Sequence, residues 1–159
     1  MDSRGTTALE FAMLTPVLFL IVAGIIEISA QATVAAALDF GARRASRMGV
    51  TGSIDGTGTM ASDQMRTEAL KSTVLSSSGG ILTDDRLQLS QSSYGTAADV
   101  SAGKNVTAGP GKAGQLVRYE LIYIQPLLSY SEFGVSWFPL TQFTHKSTVL
   151  VKNEPFPVK

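Results

Sequence analysis

Two carboxylates placed against an apolar run are the most informative ionisable residues in this chain. From Phe11 to Ile26 the sequence reads FAMLTPVLFLIVAGII, sixteen residues without a charge, bounded by Glu10 and Glu27. A carboxylate at the edge of a lipid-compatible helix is costly unless it is hydrated or paired with a cation. Pairing of that kind joins helices; it does not turn over a substrate. The other reactive types are sparse. There is no cysteine, so disulfides, thiolate metal sites and cysteine nucleophiles are excluded together. The single histidine, His145, has no recognisable triad around it. Asp84-Asp85 is an adjacent acidic pair that reads as a turn before a strand. Gly109-Pro110-Gly111-Lys112 is also a turn, without the spacing of a phosphate loop. Asn105-Val106-Thr107 matches only the minimal glycosylation acceptor. No catalytic, cofactor-binding or metal-binding residue is assigned, and the chain reads as a non-enzyme. Its 13 basic and 13 acidic residues cancel, leaving no field to gather nucleic acid.

The element that must carry Glu10 and Glu27 is a long helix. Nothing between Thr6 and Met48 forces a stop except Pro16, which removes one backbone donor and is expected to kink or loosen a turn. Residues 6–48 as one helix would extend roughly 64 Å, about twice a hydrocarbon core of roughly 30 Å. The segment from about 11 to 30 therefore spans the membrane, and the rest projects beyond it. Ala30-Gln31-Ala32 offers the small-residue pattern of a cleavable secretory signal, but the acid in MDSRG and Glu10 disagree with that reading. Arg43, Arg44 and Arg47 follow the span while Arg4 alone precedes it, a count that would place the arginines in the cytoplasm. Glu27 is read as lying at the outer interface.

Residues 49–58, GVTGSIDGTG, read as a linker, with Thr59 or Ser62 capping a following helix. Met65, Ala69, Leu70 and Val74 give that helix an imperfect apolar stripe, and Ser77-Ser78-Gly79-Gly80 closes it. Arg86–Ser90 alternates as a short strand, and 92–114 reads as a long excursion. In Leu116–Gln125 the residues Val117, Tyr119, Leu121 and Tyr123 fall on one face. Ser147–Lys152 is a further strand. The connector between these two, with Tyr130, Phe133, Trp137, Phe138 and Phe143, is suited to closing the core, to lipid headgroups or to another subunit. The expected fold is α+β: the long helix, then a small domain over 59–159 with an antiparallel sheet and at least one further helix.

At its amino terminus, Arg4-Gly5-Thr6-Thr7-Ala8-Leu9-Glu10-Phe11 followed by the apolar run with Pro16 resembles the class III signal of type IV pilin-like proteins. The nearest form is that of the TadE-like minor pseudopilins of the Tad/Flp pilus system. The resemblance implies that residues 1–5 are a leader and that a prepilin peptidase cuts between Gly5 and Thr6. Glu10 and Phe11 then act in assembly, with the Thr6 amine as partner for Glu10. A second resemblance lies at the other end, where Tyr119–Pro126 leads to a closing Asn153-Glu154-Pro155-Phe156 similar to the family's Asn-Glu-Pro-aromatic motif. The implied protein is a single-pass inner-membrane minor pseudopilin with a periplasmic outer domain. Its implied partners are other pilin-like subunits, the prepilin peptidase and the pilus assembly platform in the inner membrane, with no cofactor. A membrane-anchored extracytoplasmic binding protein or adhesin is the alternative.

Overall fold

The computed structural model describes residues 3–51, 63–129 and 141–155, with side chains of the first helix from Thr7 onward. Helix α1 runs over Ser3–Thr51 with Pro16 inside it. It continues past Met48 into the stretch expected to be a linker, because its last turn is gripped by the outer domain. Helix α2 covers Asp63–Ser77, and a 3-10 turn at Asp84–Arg86 leads into strand β1, Leu87–Tyr94. A short helix α3, Ala97–Ala102, and a two-residue strand β2, Thr107–Ala108, precede the long strands β3, Leu116–Pro126, and β4, Gln142–Lys152.

The sheet has the order β2-β1-β3-β4, and every pairing is antiparallel. β1 lies against β3 from Leu87↔Tyr123 to Tyr94↔Leu116. β3 lies against β4 from Leu116↔Lys152 to Pro126↔Gln142. Alternation along β3 is complete: Val117, Tyr119, Leu121 and Tyr123 are buried and their neighbours are half-buried. These four pack with Leu87 of β1, Leu70 and Val74 of α2, and Val34, Leu38, Ala42 and Ala45 of α1. The α1 contributors recur at three- and four-residue spacing, one stripe of a 3.6-residue helix. Burying Leu38 alone contributes about 1.5–3 kcal/mol. A Cβ on Gly41 would stand 2.9 Å from Val74 Cγ1, so glycine sets how closely α1 and α2 cross.

Three expectations are corrected. The buried stripe of α2 is Arg66, Leu70 and Val74, whereas Met65 is 59% exposed. The 92–114 excursion is partly ordered: β1 continues to Tyr94, and α3 is opened by a reciprocal capping box between Thr96 and Asp99. His145 does not precede the last strand but lies within it, as do Phe143 and Thr144. The proposed caps Thr59 and Ser62 and the connector aromatics Tyr130, Phe133, Trp137 and Phe138 lie outside the described residues.

Candidate functional site

The two halves of α1 have opposite surroundings. Between Thr7 and Val22 every residue is exposed, including Phe11 at 69% and Met13 at 72%. Among the described residues this is the one helix long and apolar enough to cross a membrane. Its best 18-residue window has a mean hydropathy of 2.4, and none of that window is buried by protein. So much bare apolar surface needs lipid or other helices around it. Within the apolar run the Thr15 hydroxyl is satisfied by the helix itself, since Thr15 Oγ1 donates to the Phe11 carbonyl at 2.7 Å. Glu10 is exposed at the edge of this surface. Gly5 and Thr6 fall within α1, but their side chains lie outside the described residues.

Protein cover begins at Glu27. Ser129 N donates to Glu27 Oε2 at 3.3 Å, and Gln31 Nε2 donates to Glu27 Oε1 at 2.8 Å. Gln31 Oε1 is then left to accept, and it meets His145 Nε2 at 2.8 Å. The carboxylate accepts at both oxygens, so the donors run in one sense: His145 to Gln31 to Glu27. Burial pushes the His145 imidazole below its ordinary value of 6.5. Further along the helix, Ser147 Oγ donates to Asp39 Oδ1 at 2.9 Å, and Asp39 also pairs with Arg43. Glu27 is therefore more than an interfacial charge. It holds the end of β3 to the helix, a role that its position in the sequence does not reveal.

The far end of α1 is fixed by a polar knot. Arg66 is 5% exposed and donates to the carbonyls of Gly49 at 3.3 Å, Gly111 at 3.2 Å and Pro110 at 3.5 Å. Asn153 is 2% exposed, and its Nδ2 donates to the carbonyls of Pro110 at 3.0 Å and Lys112 at 3.2 Å. Its own amide donates to Gln115 O at 2.9 Å, and the next amide, Glu154 N, donates to Val50 O at 3.0 Å. Asn153 and Glu154 thus clamp the chain end onto the 110–115 loop and the last turn of α1. Pro155 follows directly, and Phe156 lies outside the described residues. The structure brings Asn153 and Glu154 together with α1's outer end but leaves Glu10 and Phe11 at the opposite end, apart from them.

Among the described residues no three acidic or histidine side chains come together as a metal site. Asp84 and Asp85 are occupied by salt bridges, Asp84 to Lys71 at 2.6 Å and Asp85 to Arg86 at 3.6 Å. The arrangement supports attachment and packing: a bare apolar helix half carrying one exposed carboxylate, and a folded domain riding on the other half.

No curated protein and no solved structure matches the chain. Residues 5–47 match the family model described as TadE-like protein, a match that covers the bare half of α1 and most of its packed half but none of the sheet.

Proposed function

We propose that the chain is a minor pseudopilin of a Tad/Flp-type pilus system, anchored in the bacterial inner membrane through α1 with its outer domain in the periplasm. The observation that carries this reading is the bare half of α1. It is a continuous helix without protein cover, with Glu10 exposed near its start, inside the stretch similar to TadE-like proteins. Such a helix associates with neighbours by close packing and limited polar pairing, and a shared membrane keeps the attached domains at high local concentration. After cleavage between Gly5 and Thr6 the new Thr6 amine supplies a cation for Glu10, either four residues away or on an adjacent helix.

Two features support a retained span with an outer domain beyond it. Removing residues before Thr33 as a secretory signal would take away Glu27 and Gln31, two groups that hold the sheet. Arg43, Arg44 and Arg47 lie on the half of α1 that is packed in the folded domain, and charges within a translocated domain carry little weight for orientation. The three cations therefore do not oppose a periplasmic location.

Intact mass and amino-terminal sequencing of the protein from native membranes test the reading. A start at Thr6 together with co-purification of pilin-like subunits is the expected result. A retained Met1–Gly5 in functional protein overturns it and leaves a membrane-anchored binding domain or adhesin. A start near Thr33 overturns the anchor itself.

A further inference from the structure

The outer domain stands directly on the end of the apolar segment, with no spacer between them. β4 runs in the same sense as α1: Gln31 meets His145, Asp39 meets Ser147, and Val50 meets Glu154. From Glu27 to Val50 the helix rises about 35 Å at ~1.5 Å per residue. Eleven residues of β4 cover about 36 Å at ~3.3 Å per residue, so helix and strand match end to end. The sheet's lower edge is therefore level with Glu27, one residue past the charge-free run.

That edge has an unusual composition. Residues 121–129, LIYIQPLLS, and 141–144, TQFT, carry no charged side chain. The ladder is carried to the very end by Leu127 N donating to Thr141 O at 3.0 Å, and Ser129 N then reaches Glu27. The nearest charges up the long strands are Glu120 and Lys146, paired with each other at 2.8 Å, and between them and the rim His145 faces Gln31. β1 starts only opposite Tyr123, and the Asp84–Arg86 turn before it is internally paired with Lys71. Phe143 stands on the same strand face as His145 and Ser147, toward α1, yet it is 41% exposed. An aromatic ring half out of the protein, beside a bare apolar helix and on strand ends without a charged side chain next to the hydrogen-bonded Glu27, fits the interfacial layer of a bilayer, where amphipathic surfaces combine apolar and hydrogen-bonding contacts.

We propose that this rim, the half-buried Leu128 and Ser129 with the exposed Gln142 and Phe143, rests on the lipid headgroups of the leaflet from which α1 emerges, so that the membrane is a binding partner of the outer domain as well as its anchor. The proposal depends on α1 spanning the membrane, and its occupant is the continuation of the surface that already surrounds the bare half of the helix.

The test uses the full-length chain in vesicles of phosphatidylcholine and phosphatidylglycerol, with Trp137→Phe removing the single native tryptophan. Reporter tryptophans are then placed one at a time by Phe143→Trp at the rim, Gln142→Trp beside it, Val17→Trp in the bare helix and Leu150→Trp at the far end of β4. Gln142 is exposed and tolerates the change if Phe143→Trp disturbs folding, as judged by protease resistance. Lipids brominated near the head of the acyl chain should take most of the emission from the rim reporter, and deeply brominated lipids should take most from Val17→Trp. Leu150→Trp should keep its emission. Rim reporters that keep their emission while Val17→Trp loses it overturn the proposal and leave that surface to a protein neighbour. If Val17→Trp also keeps its emission, the spanning helix itself is wrong.

Discussion

Gln31 accepts a hydrogen bond from His145 at 2.8 Å and passes one to Glu27 at the same distance, joining the edge strand of the sheet to α1 where its bare apolar half ends. Direction matters here, because a carboxylate can only accept when ionised. The amide of Gln31 must turn its nitrogen to Glu27 and its oxygen to His145, which fixes the proton of the neutral imidazole on Nε2. A packing contact alone would not impose that order.

This arrangement makes stability depend on pH through His145. Burial lowers its folded-state pKa below 6.5, so the unfolded chain binds the proton first as pH falls. The contribution is fully present above about pH 6.5 and is lost as pH falls below it. His145→Gln keeps a donor toward Gln31 and removes the titration. Thermal unfolding of the detergent-solubilised protein should lose midpoint temperature between about pH 7 and pH 5.5 in the wild type and much less in H145Q. Parallel slopes in the two proteins would assign the effect to other groups.

A second prediction concerns the outer end of α1. A Cβ on Gly49 would run into the Tyr119 hydroxyl, with Tyr119 Cζ only 2.8 Å away. Gly49→Ala should destabilise the outer domain by about 1–3 kcal/mol, the usual cost of overpacking. The Tyr119 hydroxyl is itself buried without a hydrogen-bond partner among the described residues, so Tyr119→Phe should cost little or even stabilise. The double variant G49A/Y119F should recover part of the loss, since the hydroxyl is the closest contact and the ring carbon at 2.8 Å remains. Additive losses would show that the close approach is not where the strain arises.

Much of this fold was legible because its signals are local. The alternation Val117, Tyr119, Leu121, Tyr123 required only a period of two, and the uninterrupted α1 required only apolar composition and alanine-rich turns. Arg66 was not legible, since its acceptors are carbonyls of Gly49, Pro110 and Gly111, distant in sequence and invisible as side chains. Asn153 was legible as part of a terminal motif but not as a clamp, for the same reason. The short helix α3 did leave a signal, Thr96 followed by Asp99 and then Gly103 in the left-handed conformation, within a stretch whose small residues read as loop. The surroundings of Glu10 and Glu27 separate only in three dimensions. Both are carboxylates bounding one apolar run, yet Glu27 is half-buried and hydrogen-bonded to Gln31 and Ser129 while Glu10 is exposed.

Asn153 gives a third prediction. Asn153→Ala removes the donor to the Pro110 and Lys112 carbonyls and should cost about 1–3 kcal/mol, since it strands buried acceptors. Asn153→Asp replaces that donor by a buried carboxylate facing carbonyl oxygens and should cost more at neutral pH. Its folded-state pKa would be raised by that setting, so acidification should narrow the gap between N153D and the wild type. A gap that stays constant with pH would place residue 153 outside the polar knot.

The last prediction bears on assembly. Glu10 lies on the bare half of α1, whereas the core of the outer domain begins with Val34 and its anchoring bonds begin at Glu27. Glu10→Ala should therefore leave protease resistance of the outer domain unchanged while it reduces crosslinking between neighbouring helices and incorporation into a pilin-like assembly. The physical reason is that an amine at Thr6 on an adjacent helix would lose its counter-charge in a poorly hydrated setting, and with it the axial register of the two helices. Gly5→Ala is the companion variant: it should stop at an earlier step, with the leader retained and Glu10 intact. The measurement is a pair of readouts on the same membranes, helix-to-helix crosslinking and limited proteolysis of the outer domain. Wild-type crosslinking in E10A sinks the assembly role. Equal losses in both readouts sink it as well, because Glu10 would then act through the stability of the whole protein and not through contact between helices.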